Sequence, residues 1–151
     1  MFDAKFEGMD ALRKRAAGLT DAVRGKIAVA AVRKGAALIV KQARANVAAM
    51  DDPQTGRKIG KNIGTSYRSK ESRRTDSVIV ATGVRYPRGR MEKGNPDDGV
   101  QTPHWHLLEL GTEDAAAQPF LVPAALTVQN QIPDVIAAAL SAGVTRELQK
   151  L

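Results

Sequence analysis

The chain has 151 residues, 43% of them hydrophobic and 4% aromatic, with no cysteine and a formal net charge of +7. A chain of this length fits a single domain, here spanning residues 1–151, and buries roughly two-thirds of its unfolded surface without the help of a metal or disulfide. Zero cysteines exclude thiol catalysis, a disulfide framework, zinc fingers and iron–sulfur clusters, and so few aromatics make a base-stacking platform a poor reading.

The charge is unevenly placed. Residues 1–50 carry 10 basic and 4 acidic side chains, residues 51–100 carry 11 and 7, and residues 101–151 carry 2 and 5. The densest stretch, residues 57–93, holds 11 basic and 3 acidic residues. Such asymmetry fits a polyanion, a partner of opposite sign, or a solvated basic loop, since glycine, serine and threonine are interleaved through it. The first fifteen residues include Asp3, Glu7 and Asp10 and lack an apolar core, so they do not read as a signal peptide. No apolar run approaches the roughly 20 residues of a membrane span, and a soluble protein is expected.

In chain order, residues 1–7 alternate weakly and fit a short strand. Asp10 can cap a short helix that ends at Gly18. Thr20 then reads as the N-cap of a long helix running to about Met50, with Asp21 in its first turn. Its main apolar stripe is Val29, Val32, Ala36, Ile39/Val40, Ala43, Val47 and Met50, and a second strip of Ile27, Ala31, Gly35, Leu38 and Ala45 lies beside it. Together they cover roughly half the circumference, and Lys26, Arg33, Lys34, Lys41 and Arg44 fill the rest. An apolar arc this wide places the helix at the centre of the fold or against a second subunit. Ala31, Gly35 and Leu38 are the candidate contacts in the second case.

Pro53 and Gly56 end the helix. Residues 51–63 read as a loop, flexible or ordered on assembly. Residues 64–71 and 77–84 read as the arms of a β-hairpin. Residues 85–103 hold three prolines and three glycines and read as a long contact loop in which Arg88 and Arg90 are candidate interface residues. Residues 104–110, HWHLLEL, read as a third strand. Pro123 suits the first position of a helix, and Pro133 divides the C-terminal helical region at residues 132–134. Its apolar face is Ile132, Ile136, Leu140, Val144, Leu148 and Leu151. The expected class is α+β: a long central helix and C-terminal helices on a small, mainly antiparallel sheet of three to four strands, with long basic loops.

Chemistry is thinly represented. His104 and His106 would share a face of a strand, as a metal pair does, but a catalytic metal site wants about three protein ligands. No nucleophile elbow, phosphate loop, dinucleotide fingerprint or metalloprotease motif is present. The reading is a non-enzyme without cofactor. The alternative, a small basic nucleic-acid-binding protein, rests on counterion release by the clustered Lys and Arg, without a helix-turn-helix or RNA-recognition signature.

A family pattern does emerge. Leu107-Leu108-Glu109-Leu110-Gly111-Thr112, a short small-residue loop, and then Pro119-Phe120-Leu121-Val122-Pro123-Ala124 resemble the signature of the gene-product-ten-like neck and tail-component family of long-tailed bacteriophages. Phe6-Glu7-Gly8-Met9, the alanine-rich long helix, and Thr55-Gly56 followed by Ile59 and Ile63 resemble further family segments in the same order. Leu110 stands where an aromatic is commoner in the family. The resemblance implies a structural virion protein of the head–tail junction, assembled in the host cytoplasm. It would form a homo-oligomeric ring between the head-side connector or head-closure protein and the tail terminator or tail tube protein, crossed by genome DNA without sequence-specific binding. Thr55, Gly56, Glu109, Gly111, Thr112, Pro119, Phe120 and Pro123 would then have scaffold roles.

Overall fold

The computed structural model describes residues 9–50, 58–85, 102 and 104–150. The architecture is mixed: seven α-helices and a two-stranded antiparallel sheet among the described residues. The expected strand at residues 1–7 lies outside them.

Two helices and the π-helical turn that joins them form one rod: α1 (Met9–Ala22), Val23–Ile27, and α2 (Ala28–Ala48). The expected break at Gly18 and cap at Thr20 are corrected by this continuity. A glycine inside a helix costs only about 1 kcal/mol, less than breaking a helix that alanine and leucine favour on both sides. The change of winding comes later, in the turn that contains Gly25. That turn lies where α7 (Ile132–Leu148) approaches closely: a Cβ built on Gly143 would stand 2.5 Å from Ile27 Cγ2.

The over-wide apolar arc of α2 is explained by its position. Both strands, the 59–62 turn and the two C-terminal helices all pack on it. Its buried residues are Ala31, Gly35, Ala36, Ala43 and Val47. Beyond the loop, α3 (Ile59–Asn62) is a single helical turn leading directly into β1 (Ile63–Tyr67), so the end of the expected 51–63 loop is ordered, with Ile59 and Ile63 in the core.

Strand β1 pairs antiparallel with β2 (Val80–Val84), in a register that sets Ile63 opposite Val84 and Tyr67 opposite Val80. The hairpin expectation holds for this pair, but its first arm ends at Tyr67. A short helix, α4 (Ser69–Thr75), replaces the rest. Glu71 in its first turn and Arg73 and Arg74 in its last suit the helix dipole. The Ser72 hydroxyl accepts from the Ile79 amide at 3.0 Å and the left-handed Asp76 closes the end.

The third strand expected at residues 104–110 is instead helix α5 (Trp105–Leu110), and this is why the sheet has two strands rather than three or four. A short apolar run carries both periods at once. The burial decides: Trp105, Leu108 and Glu109 face inward while His106, Leu107 and Leu110 are exposed, a helical spacing. Helix α6 (Leu121–Val128) follows, and the division from α7 falls at residues 129–131, immediately before the expected place. Pro133 occupies the first turn of α7 and therefore breaks no intrahelical bond. Ile132, Ile136, Leu140 and Val144 are half-buried, as their spacing implies, whereas Leu148 is exposed.

The core gathers Ala43, Val47, Ile59, Ile63, Phe120 and Ala124, flanked by Ile39, Val40, Met50, Val84, Trp105, Leu108 and Leu121. Phe120, Ile63 and Val47 are its largest fully buried side chains, each contributing roughly 1.5–3 kcal/mol of burial. Among the described residues no helix is long and apolar enough to cross a membrane.

Candidate functional site

The two halves of the 107–124 motif meet at one buried carboxylate. Glu109 accepts the backbone N–H of Phe120 at 2.8 Å and of Leu121 at 3.0 Å on Oε2, and that of Val122 at 3.0 Å on Oε1. The first four N–H groups of a helix lack intrahelical partners. Here three of them belong to residues 120–122 and are bound by Glu109, and the fourth position is Pro123, which has no N–H. The start of α6 is thus fully satisfied, with a negative charge on the positive end of its dipole. Pro123 stands third in the helix rather than first, a correction of two positions that keeps it in the first turn, where its fixed φ is tolerated.

The turn between α5 and α6 is built to return the chain. Gly111 has φ +78°, and a Cβ there would stand 2.8 Å from the Ala117 amide nitrogen, so only glycine fits. Thr112 accepts on Oγ1 from the Ala115 N–H at 3.0 Å and donates its own N–H to the Ala115 carbonyl at 2.9 Å. The Gln118 N–H reaches the Leu108 carbonyl at 2.7 Å, and Pro119 then leads to Phe120. From the other side Asn46 Nδ2 donates to the Phe120 carbonyl at 3.1 Å, fastening the junction to α2. The bound end of the long 85–103 loop is Thr102, which is buried and accepts on Oγ1 from Asn62 Nδ2 at 3.0 Å.

Each of the same two helices exposes a pair of large apolar side chains. Leu107 and Leu110 on α5 are 42% and 78% exposed, and Val122 and Leu126 on α6 are 60% and 59% exposed. Sequence reasoning missed this surface. The signal was the helical spacing of Trp105, Leu108 and Glu109, which leaves Leu107 and Leu110 on the opposite side.

The expected interface residues fall elsewhere. Ala31 and Gly35 are buried inside the chain, so of the two roles open to this helix they fill the central one. A Cβ on Gly35 would stand 2.8 Å from Ile136 Cγ1 and 3.1 Å from Ile132 Cγ2, which makes α7 the neighbour that the small residues admit. Leu38 is half-buried. Arg88, Arg90, Thr55 and Gly56 lie outside the described residues.

The histidines do not converge. His104 precedes α5 and His106 lies within it, two residues apart on a helix, which turns them to nearly opposite sides rather than one. Trp105 and His106 make an edge-on contact, with centroids 6.1 Å apart. Among the described residues no group of three His, Asp or Glu is placed to hold a metal ion. A cleft of about 620 Å³ between the π-helical turn and α4 is lined by Arg24, Tyr67, Ser72, Arg73 and Asp76. Its one buried hydroxyl, Ser72, is engaged by the Ile79 amide. Comparisons with family models, curated proteins and solved structures gave no match to this chain.

Proposed function

We propose that this chain is a structural component of the head–tail junction of a long-tailed bacteriophage, a neck or tail-completion protein that forms a ring joining the head-side connector to the tail and lets DNA through. The sequence resemblance to the gene-product-ten-like family is the starting point. The observation that carries the reading further is the form of the 107–124 segment. The residues of the resemblance make one rigid unit, tied inside by Glu109, and that unit presents Leu107, Leu110, Val122 and Leu126 outward.

Large exposed aliphatic side chains on two successive helices joined by a fixed turn are candidates for an association surface. Leu110 is the most exposed of them, at the position where the family commonly has an aromatic. In a ring each subunit offers one surface to its neighbour and receives another. The α5–α6 surface fits the offered one because the Glu109 junction fixes its shape before association, which lowers the ordering cost of binding. The roles of Glu109, Gly111, Thr112, Pro119, Phe120 and Pro123 are then those of a scaffold, and the reading calls for neither a catalytic group nor a cofactor.

Deletion of the gene from the phage that encodes it tests the proposal. DNA-filled heads accumulating beside finished, unattached tails are the expected result. Normally joined particles would overturn it.

A further inference from the structure

The solvent face of α2 carries a regular track of cations that make no ion pair among the described residues. At about 100° per residue, Arg33, Lys34, Lys41 and Arg44 fall within an arc of about 100°, and all four are exposed. Lys26 adds an exposed cation in the π-helical turn before them, extending the track to about 27 Å at 1.5 Å per residue. Between the cations stand Ala30 and Ala37, also exposed, which project little beyond the backbone. Helix α2 contains no acidic residue. The ion pair among the described residues lies far along the chain, between Lys150 and Glu147.

At its C-terminal end the track opens on a concavity of about 440 Å³ lined by Arg44, Lys58, Gly60 and Lys61. Arg44 is held there by its bond to the Ile63 carbonyl at 2.9 Å. The backing of the track is rigid, because the opposite face of α2 is the centre of the core.

We infer that this face, α2 with α3, binds the sugar–phosphate backbone of duplex DNA without reading its sequence. A duplex presents one negative charge per about 1.7 Å of axis and matches a long, low, purely cationic surface. A second copy of the chain matches it poorly. Of the acidic residues described from position 102 onward, Glu109 is committed to the start of α6 and Glu147 to Lys150. Asp21, Glu71, Asp76, Glu113, Asp114 and Asp134 are dispersed over α1, α4, the α5–α6 turn and α7 rather than gathered into a matching track, and at a net charge of +7 two copies repel. Few aromatics argue against base stacking, and Lys and Arg on a surface without a base-reading motif bind the sugar–phosphate backbone. The inference goes beyond the ring reading and stands on the charges alone; in a ring, this face would be the one turned to the DNA path.

The test is fluorescence anisotropy of the purified full chain with a mixed-sequence 30-base-pair duplex over a series of salt concentrations. Five to six phosphate contacts give a slope of log affinity against log salt of about −4.5 to −5.5. The triple variant Arg33→Ala, Lys34→Ala, Lys41→Ala should flatten the slope by about 2.7 and weaken low-salt binding at least tenfold. The pair Lys34→Gln, Lys41→Gln should flatten it by about 1.8. A control triple on α4, Lys70→Ala, Arg73→Ala, Arg74→Ala, should change the slope by less than about 1 unit. No duplex binding by the native chain at low salt, or equal losses in both triples, would overturn the inference. So would an α2 triple that keeps DNA binding and loses self-association, which would make the face a protein contact. A monomeric chain that binds duplex as described would remove the ring and leave this inference standing.

Discussion

The α2–α7 seam and the α5–α6 junction both hold a helix in place, by opposite means. The seam is close packing: Gly35 admits Ile132 and Ile136, and Gly143 admits Ile27 at the start of α2. The junction is direction alone at its centre: one carboxylate meets three amide N–H groups, and its geometry permits a single arrangement. Packed seams tolerate repacking when volume is conserved. A buried polar junction tolerates no missing partner. The first is suited to assembling the body of the fold, and the second to holding a surface in a fixed shape.

Glu109→Ala should separate the two most sharply. It strips three amides of their acceptor and should cost roughly 2–4 kcal/mol in chemical denaturation. Glu109→Gln keeps the shape but sets a donor against an amide N–H, so it should retain most of that loss. A Gln variant as stable as the native chain would show that shape, not charge and hydrogen bonding, holds the junction.

Gly35→Leu should cost about 1–3 kcal/mol by overpacking against Ile132 and Ile136. Combining it with Ile136→Ala should recover part of the loss, since neighbouring core substitutions couple. No recovery would mean that the seam is as specific as the junction, and the contrast between them would collapse. The smallest effect on stability belongs to Leu110→Asp. It alters an exposed side chain and should change unfolding free energy by less than about 0.5 kcal/mol, while abolishing ring formation seen by native mass spectrometry or electron microscopy. A ring formed normally by this variant would remove Leu110 from the association surface.

The same contrast explains what was legible in the sequence. The seam belongs to long periodic segments, and the stripes on α2 and α7 were readable because 3.6-residue spacing repeats over many turns. So was the β-branched strand at residues 80–84, within the expected arm. The run at residues 104–110 was not, because seven residues satisfy helix and strand patterns alike, and the burial of Glu109 that decides between them depends on residues 11–13 positions further along. Residues 69–75 escaped for a similar reason. A basic, polar stretch has no apolar period, and its helix is held by the Ile79 N–H donating to the Ser72 hydroxyl. The motif itself was visible as a pattern of residue types, but its physical content, an acidic side chain matched to a helix start completed by Pro123, becomes evident only when its halves are brought together. The cationic residues of α2 were likewise visible as the remainder of an apolar helix. Their continuity with Lys58 and Lys61 required the turn of α3.

The most direct measurement is localisation of the chain within the particle that contains it, by gold labelling or cryo-electron microscopy of intact virions. A closed ring of this protein between head and tail is the expected result. Label on the capsid shell or at the tail tip, or a particle that lacks the protein altogether, would contradict the proposed role.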